Sequence, residues 1–319
     1  MTANYSLALG AASVLLALDL TESERDAKRR RKKERVTAEK RRLLKEAFPK
    51  EVGSLKPGDG YEKLLAGDWP RPTALTLGID LMFSNPFAPY ELRVSDADMD
   101  KALVTVVRHI GLSEADVKRL RATQMAAFRA HSTVNYGQAF LIGAGGLIVM
   151  ALGGWLLAPA IGGAIGAAAG LSGAAATAHG LAILGGGSLA IGGAGMAGGM
   201  WVVTGAGAAI GLAATSGSTL LLQLGADAAR QELIKLQVNY KEVLIGTQIE
   251  LAKSQSVIQS LTRQQRELEA QLKLERDLND ANAARVKQIE ATLKAVEKSL
   301  KWMRAQKPDG GSTSAPAVK

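Results

Sequence analysis

The sequence predicts an all-α membrane protein, with a Gly/Ala-rich transmembrane helical bundle followed by a long C-terminal coiled-coil helix. Three observations carry that prediction. From Ala130 to Ala226 no residue is charged, a run of 97 positions in a chain with 22% charged residues and a net charge of +9. Aromatic residues make up only 4% of the chain, which supplies a conventional aqueous core poorly. Beyond the uncharged run, apolar residues recur in alternating steps of four and three, the seam of a coiled coil. There is no cysteine, which excludes disulfides, thiolate nucleophiles and Cys-based metal sites.

Residues 1–51 read as a basic helical segment. The apolar run from Leu7 to Leu18 is short against the roughly 20 residues a bilayer crossing needs. No basic region precedes it, as one would in a signal. It therefore reads as a packing or interfacial helix. Thr21, with Glu24 three positions on, has capping-box spacing and marks a helix start. The run "KRRRKKER" follows at residues 28–35. Its Lys28, Arg29, Arg30, Arg31, Lys32 and Lys33 are candidates for anionic lipid headgroups, each contributing about 1 kcal/mol at such a surface. The bland alternative is a solvated helix face. Nucleic acid is disfavoured, because no aromatic residues interleave the cations.

Residues 52–130 read as a small helical domain with Pro/Gly-rich loops. One helix follows Ser95. A second follows Ser113, where "SEAD" puts Asp116 at the capping-box position. Asp96, Asp98 and Asp100 open with the spacing of a calcium loop. Lys101 stands where that loop needs glycine and Val107 where it needs a bidentate Glu, so the acids read as a helix N-terminus.

Residues 131–226 read as the transmembrane region. The stretches 139–158 and 201–224 are each long and apolar enough to span, and residues 159–200 between them are rich in Gly and Ala. Gly162, Gly166 and Gly170 lie four apart. Gly195 and Gly199 repeat the interval, as do Gly207 and Gly211. On a helix such positions stack into a groove. In lipid, small residues at that spacing permit close helix–helix contact. Pro159 and the glycine run 185–187 are natural breaks, so two or four spans fit. Lys118, Arg119, Arg121 and Arg129 precede the zone and Arg230, Lys235 and Lys241 follow it. Cations on both sides favour an even number of crossings with both termini cytoplasmic, as in a bacterial inner membrane. His179 is an ionisable side chain deep in the zone and reads as a loop or helix-end residue. His109 and His131 form no metal-spaced pair with it or with each other.

"WVVTGAGAAIG" (201–211) resembles the nucleotide-binding turn of short-chain dehydrogenases at Thr204, Gly205 and Gly211. Ala209 replaces the middle glycine, however, and a heptad helix follows where strand–helix repeats are needed. Asp227 lies 20 residues beyond Gly207, where a ribose-binding acid would stand. The catalytic Tyr-x-x-x-Lys pair is missing, with Leu244 four places after Tyr240. The chain is read as a non-enzyme without catalytic, cofactor-binding or metal-binding residues.

Residues 227–304 read as a coiled-coil stalk whose clearest seam is Val286, Ile289, Leu293, Val296, Leu300 and Met303. As one helix the heptad run from Leu233 to Met303 would reach roughly 105 Å. Gly246 and the polar cluster Glu275, Asn279 and Asn282 are its weak points, where a break or hairpin is credible. The Pro/Gly/Ser-rich tail, 305–319, is expected to be disordered.

A glycine-spaced hairpin with a helical stalk resembles α-helical pore-forming toxins and bacterial membrane-acting defence effectors. "LGGGSLAIGGAGMAGG" is similar to the Gly-rich membrane segments of transmembrane-and-coiled-coil proteins. The resemblance covers the middle third and the layout, and carries over no functional residue. It implies a homo-oligomer that permeabilises a bilayer or forms a pore in it, as a triggered toxin or antiviral defence effector. The alternative expectation is a non-conducting anchor that recruits a coiled-coil protein partner.

Overall fold

The computed structural model describes residues 5–56, 60–87, 90, 92–131, 221–222, 226–246, 251–278 and 283–306. All seven glycines of the expected packing faces lie outside the described residues: Gly162, Gly166, Gly170, Gly195, Gly199, Gly207 and Gly211. So do His179 and residues 307–319 of the tail. Among the described residues every regular element is helical.

Helix α1 (Tyr5–Glu22) is apolar on every side, and a helix of that kind is stable when surrounded by other elements. Leu9, Ala12, Leu16 and Leu20 are almost fully buried. Helix α2 (Ala27–Ala47), a short 3₁₀ turn (Tyr61–Leu65), α4 (Arg71–Met82) and α5 (Asp96–Arg108) pack around it, with the single turn α3 (Pro49–Gly53) closing the end of α2. The segments 1–51 and 52–130 thus share one core. At 18 residues, α1 is about 27 Å long, short of the roughly 30 Å hydrocarbon layer. No helix among the described residues is long and apolar enough to cross a membrane.

The expected helix start at Thr21 is wrong. Helix α1 runs through it, because the Thr21 hydroxyl is satisfied inward: it donates to the Ala17 carbonyl at 2.6 Å and meets the Thr37 hydroxyl at 3.2 Å. Helix α2 instead begins after Asp26, whose carboxylate accepts the Arg29 N–H at 2.7 Å. The two later starts stand as expected. Ser95 caps α5. Ser113 and Asp116 form a reciprocal box at the start of α6 (Glu114–His131), each side chain accepting the other's backbone N–H. Asp96 and Asp98 occupy the first turn of α5, where the helix dipole favours them. Gly111, with φ +80°, makes the left-handed turn between α5 and α6 that other residues adopt with strain.

After the uncharged segment come α7 (Ala226–Asn239), a π-helical turn (Tyr240–Ile245), α8 (Leu251–Leu278) and α9 (Ala284–Arg304). Helix α7 belongs to two cores. Ile234 and Val238 join the N-terminal cluster, while Leu233 and Leu236 join a second cluster with α8 and α9. The long stalk is therefore a correction. The heptad run breaks at the two weak points, and α8 and α9 fold back as an antiparallel hairpin. The pairs Glu275–Arg285, Arg276–Glu290 and Thr262–Arg304 set the direction.

The seam is filled from within the chain. Val286, Ile289, Val296, Leu300 and Met303 are buried and Leu293 half-buried, in one cluster with Leu233, Leu261, Leu268 and Leu272. The end of the 201–224 apolar stretch is corrected likewise, since Leu221 and Leu222 are buried in this same cluster. Residues 201–220 then remain of that stretch, still about the length a crossing requires.

Candidate functional site

The helices on either side of the uncharged segment meet in a buried polar collar. His131, the last residue of α6, puts Nε2 2.9 Å from Gln237 Oε1 on α7 and 3.1 Å from Ser299 Oγ on α9. Its carbonyl accepts from Lys298 Nζ at 2.8 Å. Burial, reinforced by the charges of Lys298 and Arg230, pushes the imidazole down to about 4 against the bond to Gln237, so the ring is neutral at neutral pH. On the far side of the segment, the Leu222 carbonyl accepts from Gln288 Nε2 of α9. Eleven residues, or about 16 Å, separate Gln288 from Ser299 along the helix. One helix thereby holds both roots of the uncharged segment.

Ion pairs fix α7 from two further sides. Asp80 of α4, fully buried, meets Lys235 Nζ at 2.5 Å. Burial works against the Lys235 ammonium, yet Asp80 and Glu232 hold its pKa above the ordinary value. Burial raises the Glu232 carboxyl, with Lys235 opposing and Asp80 assisting. In the π-helical turn, Glu242 accepts from Arg119 Nε at 2.7 Å and from the Thr123 hydroxyl, both on α6. Arg119 also reaches Asp116 at 3.3 Å, and Asp116 pairs with Arg71 of α4. Burial of Asp116 is overcome by Arg71 and Ser113, which hold its carboxyl at about 2.

Such charges are costly to bury alone and are tolerated because they are paired and hydrogen-bonded. They fix geometry. No group of three or more metal-ligating side chains occurs among the described residues. A surface groove of about 600 Å³ lies between α5 and α6, but its two carboxylates are taken, Asp100 by Arg121 and Glu114 by Lys118.

Sequence reasoning missed this collar. Asp80 gave the one available signal, a lone charge in "TALTLGIDLM". Gln237 falls in the seam register that starts at Leu233, but nothing marked Glu242 or Ser299, since polar residues off the seam of a heptad helix read as solvated. Asp227, at the ribose-acid spacing, sits exposed in the first turn of α7 and pairs with Arg230 at 2.9 Å. His109 caps the end of α5 and is exposed.

The six basic candidates divide. Lys33 is buried rather than free. Its Nζ pairs with Glu24 at 2.9 Å, donates to the Leu20 carbonyl at 3.3 Å and stands 5.3 Å from the Phe87 ring centre. Arg29 pairs with Glu24 at 3.2 Å. Arg30 donates to the carbonyls of Glu24 and Glu22, closing the end of α1. Lys28, Arg31 and Lys32 point to solvent. Comparison with protein-family models, curated proteins and solved structures finds no match.

Proposed function

We propose that this chain inserts its uncharged segment into a bilayer and permeabilises it as a homo-oligomer. The described helices form a body that holds the segment's two roots. One observation carries the reading: 97 residues without charge leave from and return to a single helical body. That body fastens residue 131 on one side and residue 222 on the other to α9. Both ends then start on the same side of any membrane the segment enters, which requires an even number of crossings. Because the α8–α9 seam is filled, self-association falls to the small-residue faces. Gly162, Gly166 and Gly170 supply the first of these, with Gly195 and Gly199, and then Gly207 and Gly211, as further contacts.

Purified protein added to dye-loaded vesicles tests this. Leakage is expected from the parent chain and is lost when Gly162, Gly166 and Gly170 are replaced by Leu. Bound protein with fully retained dye would overturn the permeabilising reading and leave a non-conducting anchor. That anchor would have to recruit its partner through some surface other than the occupied seam.

A further inference from the structure

We propose that Lys28, Arg31, Lys32 and Arg35 form a docking stripe for anionic phospholipid headgroups, while the remaining cations of the same run fasten α2 to the fold. The choice of partner rests on the membrane reading above; the stripe itself rests on geometry. Residues 28, 31, 32 and 35 recur at helical spacing and lie on one face of α2. All four are exposed, and among the described residues none has an ion-pair or hydrogen-bond partner.

The opposite face explains why the whole run is not simply a solvated surface. Lys33, Val36, Thr37 and Leu44 are buried there. Arg29 and Lys33 are engaged by Glu24, and Arg30 by carbonyls at the end of α1.

Farther along α2 the cations next in sequence are engaged or lowered, and Lys45, exposed in the last turn, lies off this face. Arg42 is held by Glu39 and Glu46 together. Arg41 turns to Tyr61, 5.7 Å from its ring centre. Burial lowers the Lys40 amine to about 7. On this face free positive charge is thus confined to the first half, with Glu34 on its flank and Glu39 closing it. A flat cationic stripe without aromatic side chains suits phosphate headgroups in a plane, and it lacks the stacking surfaces that hold unpaired bases. The 97-residue uncharged segment in the same chain makes a lipid surface the partner of choice.

The test uses the full chain and flotation with two vesicle compositions, pure phosphatidylcholine and phosphatidylcholine containing 30% phosphatidylglycerol. The quantity read is the ratio of the two partition coefficients, which removes any contribution from insertion of the uncharged segment. Each cation at an anionic surface strengthens binding roughly fivefold, so K28Q/R31Q/K32Q/R35Q should lower the ratio on the order of 10²- to 10³-fold. The charge-preserving K28R/R31K/K32R/R35K should keep the ratio. K273Q/K287Q/K294Q/K301Q, with the same loss of net charge on exposed positions of α8 and α9, should change it less than about threefold.

Three results would overturn the stripe: a parent ratio near one, equal losses in both neutralised variants, or a stripe variant whose only defect is in binding duplex DNA. Dye retention in the same vesicles separates the two ideas. Phosphatidylglycerol-dependent binding without leakage removes permeabilisation and leaves the stripe. Leakage indifferent to phosphatidylglycerol does the reverse.

Discussion

With Asp26 capping α2 in place of Thr21, Glu24 organises the link that precedes the cap. Its carboxylate accepts the Asp26 N–H at 3.1 Å, pairs with Arg29 at 3.2 Å and with Lys33 at 2.9 Å, and so shapes the link between α1 and α2. The hydrogen bond from Lys33 is the largest influence and brings the carboxyl down to about 2. Glu24→Gln would leave a buried ammonium with only the Leu20 carbonyl and the Phe87 ring. We expect a loss of about 2 kcal/mol in urea unfolding at pH 7, the scale for orphaning one member of a shielded pair. The folded carboxyl titrates below its ordinary 4.5, so its stabilisation is complete above that value and lost as pH falls toward 2. The variant should therefore show a shallower acid limb than the parent between those pH values. An unchanged limb would remove Glu24 from this role.

At the level of elements, the heptad pattern was legible and its partner was not. Spacing alone identified Val286, Ile289, Val296, Leu300 and Met303 as an apolar seam, and all five are buried. A seam fits any complementary stripe, and the α8 and α7 residues Leu261, Leu268, Leu272 and Leu233 lie within reach once the chain bends. The π-helical turn ends before Gly246, α8 ends at Leu278 and α9 begins at Ala284, at the places that sequence marks as weak points without fixing how the pieces return. Capping was legible wherever the cap is local, as at Ser95 and Ser113, and failed at Thr21, where a tertiary contact with Thr37 competes. The internal seam makes a distinct prediction. Leu300→Ala should cost about 2–5 kcal/mol through the cavity it opens, with no change in sedimentation behaviour in detergent. A shift to smaller assemblies at unchanged unfolding free energy would instead return the seam to contacts between chains.

For the whole molecule the decisive feature is where the uncharged segment begins and ends. Helix α9 holds His131 at Lys298 and Ser299, and Leu222 at Gln288, so loosening the collar frees the roots of the segment before the two cores give way. Acid should do this. The folded imidazole titrates near 4, below its ordinary 6.5, because burial and the facing cations Lys298 and Arg230 oppose a second proton. The unfolded chain binds that proton first. Stability is therefore full above pH 6.5, declines as pH falls from 6.5 to about 4, and stops changing on this account below that. The decline should be on the order of 3 kcal/mol over the window, from about 1.4 kcal/mol per pKa unit. Between pH 7.5 and pH 5 the parent should lose more stability than His131→Gln, which cannot titrate at that position, and the excess loss is the histidine's. The acid limbs of Glu24 and Asp116 lie below about 4.5, while Lys40, lowered to about 7, and Glu232, raised by burial, titrate alike in parent and variant, so the difference between the two proteins belongs to the histidine. Hydrogen exchange locates the effect. In the parent at pH 5, once the intrinsic pH dependence of exchange is removed, amides around Gln237 and Ser299 should lose protection before those of α1 and α4. Uniform loss across both cores would mean that the collar titrates as part of the fold and has no separate release.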